Sequence, residues 1–171
     1  MHKKKISVFL LLVSIALPVI TGCGYTVRNK ASLPFESIQI GRIENRTVEP
    51  KLQDRLYLSL TQEFLKQGIS VSPAASYKLS GTIHSFDLRI VSERSDIASE
   101  YEVLMKADFR VTDPSGKDKE FKDVSSPFIV SFTVPAGPLE GLIARKEIAT
   151  DRGIQDIATE IVAALIYSFK E

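Results

Sequence analysis

The sequence has no tryptophan, a single cysteine and only two histidines among its 171 residues. One cysteine cannot form an intramolecular disulfide, and it excludes zinc and iron–sulfur sites that need several cysteine ligands. The formal net charge is only +1, which argues against a nucleic-acid binder that depends on bulk basicity. Nine glycines and eight prolines are too few for a collagenous or low-complexity chain. The length suits one domain with a buried core.

The beginning of the sequence has the order of a secretion signal. A basic stretch, Lys3-Lys4-Lys5, precedes the uncharged segment Ile6–Ile20, which consists mostly of leucine, valine and isoleucine. A membrane-spanning helix needs about 20 apolar residues, so this segment is short, and Pro18 interrupts it. The pattern therefore predicts a signal peptide rather than a spanning helix.

The only cysteine follows this segment. The string Ile20-Thr21-Gly22-Cys23 resembles the bacterial lipobox, in which an aliphatic residue and two small residues precede an acylated cysteine. The resemblance implies cleavage before Cys23, diacylglycerol on its sulfur and an acyl chain on its new amino group, because stable attachment needs more than one chain. The alternatives are an ordinary secretion signal with a coincidental cysteine, or a signal anchor. Gly24 stands where an aspartate retains enteric lipoproteins in the inner membrane, which implies export to the outer membrane.

The predicted organisation is a signal peptide at 1–22, an acylated tether at 23–36 and a single α+β domain at 37–171. Two helices are predicted within the domain. The first, Pro50–Gln67, starts at a proline because the first helical position needs no N–H donor. The second can begin as early as Leu139. Apolar residues recur every three or four positions in both: Leu52, Leu56, Leu60, Phe64, Ile154, Ile157, Ile161 and Leu165.

Alternation of apolar and polar residues predicts four strands. The first is Ser37–Glu44. The second follows Tyr77 and changes phase near His84-Ser85, which predicts a bulge. The third is Tyr101–Val111, and a turn at Asp113–Gly116 leads to an irregular fourth strand. The order β-α-β-β-β-α predicts an α+β fold, a four-stranded mostly antiparallel sheet with two helices packed on one face. Four side chains are predicted to be buried: Leu56, Val103, Met105 and Phe109.

Residues suited to catalysis or to cofactor binding are scarce. His84 is the only histidine after the signal, and its strand context favours a structural or exposed histidine over a general base. Acylation would occupy Cys23, which removes a cysteine–histidine pair. The segment 137–141 lacks the Lys and Ser/Thr of a phosphate-binding loop. Three aspartates have no spacing that marks a catalytic pair and are interpreted as solvated: Asp87, Asp96 and Asp108. The sequence therefore predicts no enzyme, no cofactor and no metal site.

Basic residues at two places could engage lipid phosphates. Arg89 and Arg94 lie at the tip of the predicted central hairpin, and Arg145-Lys146 lies near the start of the last helical region. Guanidinium and ammonium groups pair with phosphate. The alternative is an ordinary mixed-charge surface, and the sequence alone favours that alternative.

The whole pattern resembles the LPS-assembly lipoprotein family LptE. The most recognisable string is Cys23-Gly24-Tyr25-Thr26-Val27-Arg28, and an early strand and helix, the Glu100-Tyr101 strand, the Asp113–Gly116 turn and a long last helix follow in that family's order. The resemblance implies a non-enzymatic outer-membrane lipoprotein that plugs the LptD barrel and assists lipopolysaccharide delivery. A polar barrel lumen would suit the polar side of the third strand: Glu102, Lys106, Asp108, Arg110 and Thr112.

The resemblance also implies lipopolysaccharide-binding residues. Arg94 lies seven residues before Tyr101, where enteric members carry a basic residue, and Lys146, with Arg145 beside it, matches a second basic position near the last helix. Two other functions stay open. One is a lipoprotein scaffold or adaptor of another envelope complex, without a lipid substrate. The other is a periplasmic lipid carrier, which would need an enclosed apolar cavity where the alternation predicts a filled core.

Overall fold

The computed structural model describes residues 34–94, 97–127, 129–133 and 139–169, except for the side chains of residues 94, 97–99 and 139. Cys23 and the predicted signal peptide lie outside these residues. The described elements are β1 (Ser37–Asn45), α1 (Leu52–Lys66), β2 (Ser70–Val71), β3 (Tyr77–Arg94), β4 (Ile97–Thr112), β5 (Asp118–Ser125), β6 (Val130–Thr133) and α2 (Leu139–Ser168). Neither of these two helices combines the length and the apolar character needed to cross a membrane.

The strands form one mixed sheet in the order β2-β1-β3-β4-β5, with β6 also paired to β4. β1 is parallel to β2 and β3, because the α1 crossover returns the chain to the end of the sheet where β1 began. β3, β4 and β5 are antiparallel neighbours. The predicted α+β class is confirmed, whereas the predicted count of four strands is corrected to six.

The two additional strands have different causes, the shortness of β2 and an interruption of the predicted fourth strand. β2 has only two residues, too few to show alternation in the sequence. β5 pairs with β4 along Lys106–Thr112, and β6 pairs with the same edge of β4 along Glu100–Val103. They are the two pieces of the predicted fourth strand. The chain leaves the ladder between them, where Pro127 cannot donate a backbone hydrogen bond.

α1 begins at Leu52, two residues later than predicted. Lys51 has a left-handed backbone, with a φ of 63°, which no right-handed helix accommodates. The loop before it is held by Asn45, whose side-chain amide donates a hydrogen bond of 2.6 Å to the Glu49 carbonyl. Local side-chain hydrogen bonds of this kind compete with helix formation, so Pro50 lies in the turn rather than in the helix.

The bulge predicted in the second long strand is confirmed. Ile83 pairs with Ala107 and Ser85 pairs with Lys106, so His84 is the extra residue in β3. The insertion moves the side chains from Ser85 to Ile90 to the other phase, which explains the change in alternation seen in the sequence.

Both helices bury their apolar sides against the same face of the sheet. The predicted core residues Leu56, Val103, Met105 and Phe109 are 0%, 5%, 5% and 2% exposed, which confirms their burial. The main cluster is completed by side chains from both helices and three strands, including Ile38, Leu52, Leu60, Phe64, Leu79, Ile83, Val111, Ile154, Ile157, Ile161 and Leu165. α2 continues through Gly153 without a break.

The molecule has two differently packed halves. The near half is the region where β1 pairs with β3, together with α1 and the later part of α2. It ends at Ile83, the last residue of β3 that pairs with β1. We call the distal half the rest of the β3–β4 hairpin, with β6 and the first part of α2. A small second cluster of Val103, Val130 and Ala149 holds the distal half together.

Candidate functional site

The distal half carries a partly exposed apolar row on its helix-facing side. Ile90, Tyr101 and Phe132 are cross-strand neighbours on β3, β4 and β6. The rings of Tyr101 and Phe132 stack with their centroids 5.4 Å apart, while Ile90 is 49% exposed. In the next row, Val103 is buried but its neighbour Leu88 remains exposed. α1 does not cover this row, because it packs against β1, β2 and α2.

A groove of about 280 Å³ lies between β6 and α2. Its apolar part consists of Phe132, Ile148 and Ala149, and Ile148 is 56% exposed to solvent. The complete lining is Ser131, Phe132, Thr133, Arg145, Ile148, Ala149 and Arg152. Because Phe132 belongs to both, the groove continues the apolar row of the hairpin onto the surface of α2.

Two arginines border the groove. Arg145 and Arg152 are seven residues apart on α2, which places them about two turns apart on the same side of the helix, with Ile148 between them. Both side chains are exposed. In the described part of the chain, neither guanidinium forms an ion pair with a carboxylate. They are therefore available to an anionic ligand without the loss of an internal partner.

Lys146 occupies a different environment from its neighbour Arg145. Its Nζ lies 2.9 Å from Glu49 Oε2, and the two side chains are only 24% and 12% exposed. The same Nζ lies 5.9 Å from the centroid of the Phe86 ring. Lys146 thus joins α2 to the loop before α1, and its charge is already compensated.

A second set of ion pairs supports this junction. Arg55 of α1 contacts Glu147 and also Asp151 of α2, the latter at 3.3 Å. The hydrogen bond to Glu147 raises the pKa of Arg55 above its ordinary value. These contacts hold the first part of α2 in a fixed position relative to α1, which also fixes the α2 side of the groove.

The structure describes only some of the site residues that the family resemblance implies. Arg94 is the last residue of β3, at the tip of the hairpin, and its side chain lies outside the described residues, as Cys23 does. The structure brings Arg145 into the groove and turns Lys146 towards Glu49.

Sequence reasoning did not identify Arg152 or the apolar groove. A signal was present, since Arg145, Ile148 and Arg152 have helical spacing, but the apolar partner on β6 is remote in sequence.

The arrangement suits the binding of a ligand with both charged and apolar parts. Planar guanidinium groups pair with phosphate through two parallel hydrogen bonds, and the exposed apolar side chains between them offer a surface for hydrocarbon. The chemical class that satisfies both is an anionic amphiphile, with phosphate and acyl groups in one molecule.

Solved structures with a similar fold include two described as lipoproteins. Rare lipoprotein B from Shewanella oneidensis superposes with a TM-score of 0.52 at 14% sequence identity, covering 76% of this chain and 95% of that one. A minor lipoprotein from Acinetobacter baumannii gives a TM-score of 0.47 at 13% identity, covering 80% and 94% of the two chains. No curated protein matches the sequence. At 14% identity, the likeness to rare lipoprotein B shows the fold alone, an α+β domain.

The family follows from the sequence itself. Residues 35–165 match the family model of LptE, described as lipopolysaccharide-assembly. The chain belongs to the LptE family, a non-catalytic family of lipopolysaccharide-assembly lipoproteins of the envelope.

Proposed function

We propose that this protein is anchored through Cys23 to the outer membrane and assists lipopolysaccharide assembly there as the partner of an LptD-type barrel. In this proposal residues 1–22 are removed as the signal, 23–36 form the tether, and the domain at 37–171 lies on the periplasmic side and within the barrel lumen. Membership of the LptE family supports the assignment.

The observation that carries the lipid part of the proposal is the groove between β6 and α2. Arg145 and Arg152, without carboxylate partners among the described residues, flank an apolar surface made by Phe132 and Ile148. Lipid A combines phosphates with acyl chains, so both parts of the groove have a counterpart in the ligand. Arg94, at the hairpin tip of the same half, is a further candidate for the phosphates.

Binding of lipopolysaccharide to the purified full-length protein in detergent tests this site. Reversing both groove charges, in Arg145→Glu/Arg152→Glu, replaces attraction by repulsion and should weaken binding by more than either single change. Arg94→Asp provides a separate arm for the hairpin tip. Lys146 is a poor probe, because its reversal also leaves Glu49 without a partner.

A matched control separates the groove from bulk charge. Arg42→Glu/Arg46→Glu changes the net charge equally but alters two exposed arginines of β1 and its following loop, which already contact Glu44. Lipopolysaccharide affinity should be nearly unchanged in this variant. Equal weakening of both double variants would contradict a localised site.

The apolar part of the groove is tested in the same way. Ile148→Ser should weaken binding because it removes exposed hydrocarbon from the groove, whereas Leu58→Ser changes a similarly exposed residue on α1. Both variants should keep the unfolding temperature of the parent protein, since neither side chain is buried.

The barrel and the anchor need separate experiments. Purification of the protein from detergent-solubilised envelopes should recover an LptD-type barrel, identified by mass spectrometry. Recovery of a different envelope complex without a barrel would favour the scaffold alternative.

Cys23→Ala should abolish acylation and leave unprocessed precursor, because the sulfur is the attachment atom. Mass spectrometry of the amino terminus checks this. A lipid-free mature protein that begins elsewhere in the parent sequence would contradict the anchor.

A further inference from the structure

Three side chains that commonly bind metals meet on the sheet face opposite the helices. His84 Nε2 lies 3.3 Å from Asp108 Oδ1 and 3.7 Å from Asp123 Oδ1. One possible ligand atom from each residue lies within 4.8 Å of the other two, and no other such group occurs in the described residues. The side chains are 31%, 47% and 66% exposed, so an ion with its waters can reach them.

Two irregularities of the sheet produce this convergence. His84 is the extra residue in the bulge of β3. Asp108 on β4 faces two residues of β5, Lys122 and Asp123, at a second register shift. Asp123 there has a left-handed backbone, with a φ of 54°. Bulges re-aim side chains, and here a bulge on each flanking strand turns its side chain towards the same position on the central strand.

The distances match the coordination shell of a small cation. Zinc binds imidazole nitrogen and carboxylate oxygen at about 2.0–2.2 Å, so neighbouring ligand atoms around a tetrahedral ion are roughly 3.3–3.6 Å apart. The separations of His84 Nε2 from Asp108 Oδ1 and from Asp123 Oδ1, 3.3 and 3.7 Å, are close to that spacing. Asp108 Oδ1 also accepts a 2.9 Å hydrogen bond from the backbone N–H of Asp123, and hydrogen bonds to metal-binding carboxylates orient them in this way.

The local charge also favours a cation. Lys106 Nζ lies 3.8 Å from Asp123 Oδ1, and within the described residues it is the one lysine or arginine that pairs with either of these carboxylates. Arg110 is engaged by Asp118 and Glu120 instead. Two carboxylates next to one ammonium group leave an excess of negative charge, which favours a cation.

We propose that His84, Asp108 and Asp123 bind one divalent transition-metal cation of the zinc class, with water completing its coordination. Imidazole together with carboxylate selects zinc and its neighbours over magnesium and calcium, which prefer oxygen ligands alone. The ion would connect β3, β4 and β5 on the polar face. This site is separate from the groove between β6 and α2 and does not depend on the proposed lipid function.

Calorimetric titration of the purified full-length protein, without a polyhistidine tag, tests the site with Zn²⁺ alone as the probe. We expect one zinc ion per chain and removal by a chelator. His84→Ala should weaken zinc binding by more than about tenfold, since loss of a residue that only hydrogen-bonds to a metal ligand already costs about 10–100-fold. Unchanged affinity in this variant, or less than one ion per chain in the parent, would overturn the proposal.

Three further variants distinguish ligation from a general effect of charge. Asp123→Asn removes the ligand charge but keeps a residue that tolerates a left-handed backbone, whereas Asp118→Asn makes the same change elsewhere on β5. Only the first should weaken zinc binding. Lys106→Met should tighten it, because the competing ammonium group is removed. Thermal unfolding without zinc verifies that each variant is folded. Equal effects of the two aspartate changes would contradict the assignment.

Discussion

The near and distal halves of this domain use the same sheet but are covered differently. In the near half, α1 and the later part of α2 together bury a large cluster that contains most of the fully buried side chains. In the distal half, only the first part of α2 lies over the sheet, and the cluster there has three buried members, Val103, Val130 and Ala149. α1, with 15 residues, is half as long as α2, with 30, so β3 extends beyond the cover that α1 provides.

The difference indicates a division of roles. Large buried clusters resist local opening, whereas regions with few buried apolar contacts open at lower free-energy cost and commonly carry binding sites. The distal half exposes apolar side chains on the sheet and beside the groove, including Leu88, Ile90 and Ile148, whereas exposed apolar residues such as Leu58 in the near half lie on the helix surface. It also has the two groove arginines. The near half therefore stabilises the fold, and the distal half offers the surface that we propose for lipid.

The largest test of this contrast compares two phenylalanines. Phe109→Ala, in the near half, should lower the free energy of unfolding by about 3–5 kcal/mol, because the side chain is buried and a cavity remains. Phe132→Ala, in the distal half, should cost only about 1 kcal/mol, since this ring is partly exposed. Denaturant unfolding measures both. Similar losses for the two variants would show that the halves contribute equally to stability.

A smaller effect is expected at the junction between the halves. Lys146→Ala should lower the free energy of unfolding by about 1–3 kcal/mol, since it leaves the mostly buried Glu49 carboxylate without its partner. Arg145→Ala, one residue earlier, should change stability by no more than about 0.5 kcal/mol. Thermal unfolding of these two variants distinguishes a cation that stabilises the fold from one that is available to a ligand. A stable Lys146→Ala protein would mean that the ion pair with Glu49 contributes little.

The smallest effect is expected at an exposed turn of the near half, between β4 and β5. The Asp113 carboxylate accepts hydrogen bonds from the Ser115 side chain and the Lys117 backbone N–H. These bonds, that from Ser115 most of all, hold the pKa of Asp113 below its ordinary value of 3.8. Because the pKa is lower in the folded state, the stabilisation is complete above the ordinary value. It is lost as the pH falls below that value and through the lowered pKa.

Asp113→Ala should therefore be slightly less stable than the parent protein at neutral pH, and the difference should shrink in acid. Unfolding temperatures measured over a series of pH values check this. A difference that stays constant down to the most acidic pH would show that ionisation of Asp113 does not contribute.

The sequence predicted much of the fold because most elements here are regular. Leu56 and Phe109 follow helical and strand periods respectively, and both are buried as predicted. The bulge at His84 was also predicted, since an inserted residue shifts the phase of everything after it. The predicted start of α1 was wrong because the loop before it is held by one side chain, Asn45. Sequence periodicity does not reveal the hydrogen bonds of that side chain.

The candidate sites were less predictable. Arg145 was identified only as the neighbour of Lys146, the residue that matches a family position. Arg152 was missed because its significance depends on Phe132, which lies on a different element. The pairing of Lys146 with Glu49 joins residues that are distant in the chain. Such contacts depend on how elements pack, and helical spacing carries no information about them.

By itself, the sequence determined the kinds of element, the faces that they bury and the family, because hydrophobic periodicity and short motifs are local properties. Only the tertiary structure decided which of two adjacent cations on α2 is free and which is paired. It also decided that His84, Asp108 and Asp123, on three different strands, share one position. These outcomes depend on strand register and on helix placement, both of which arise from contacts between residues far apart in the chain.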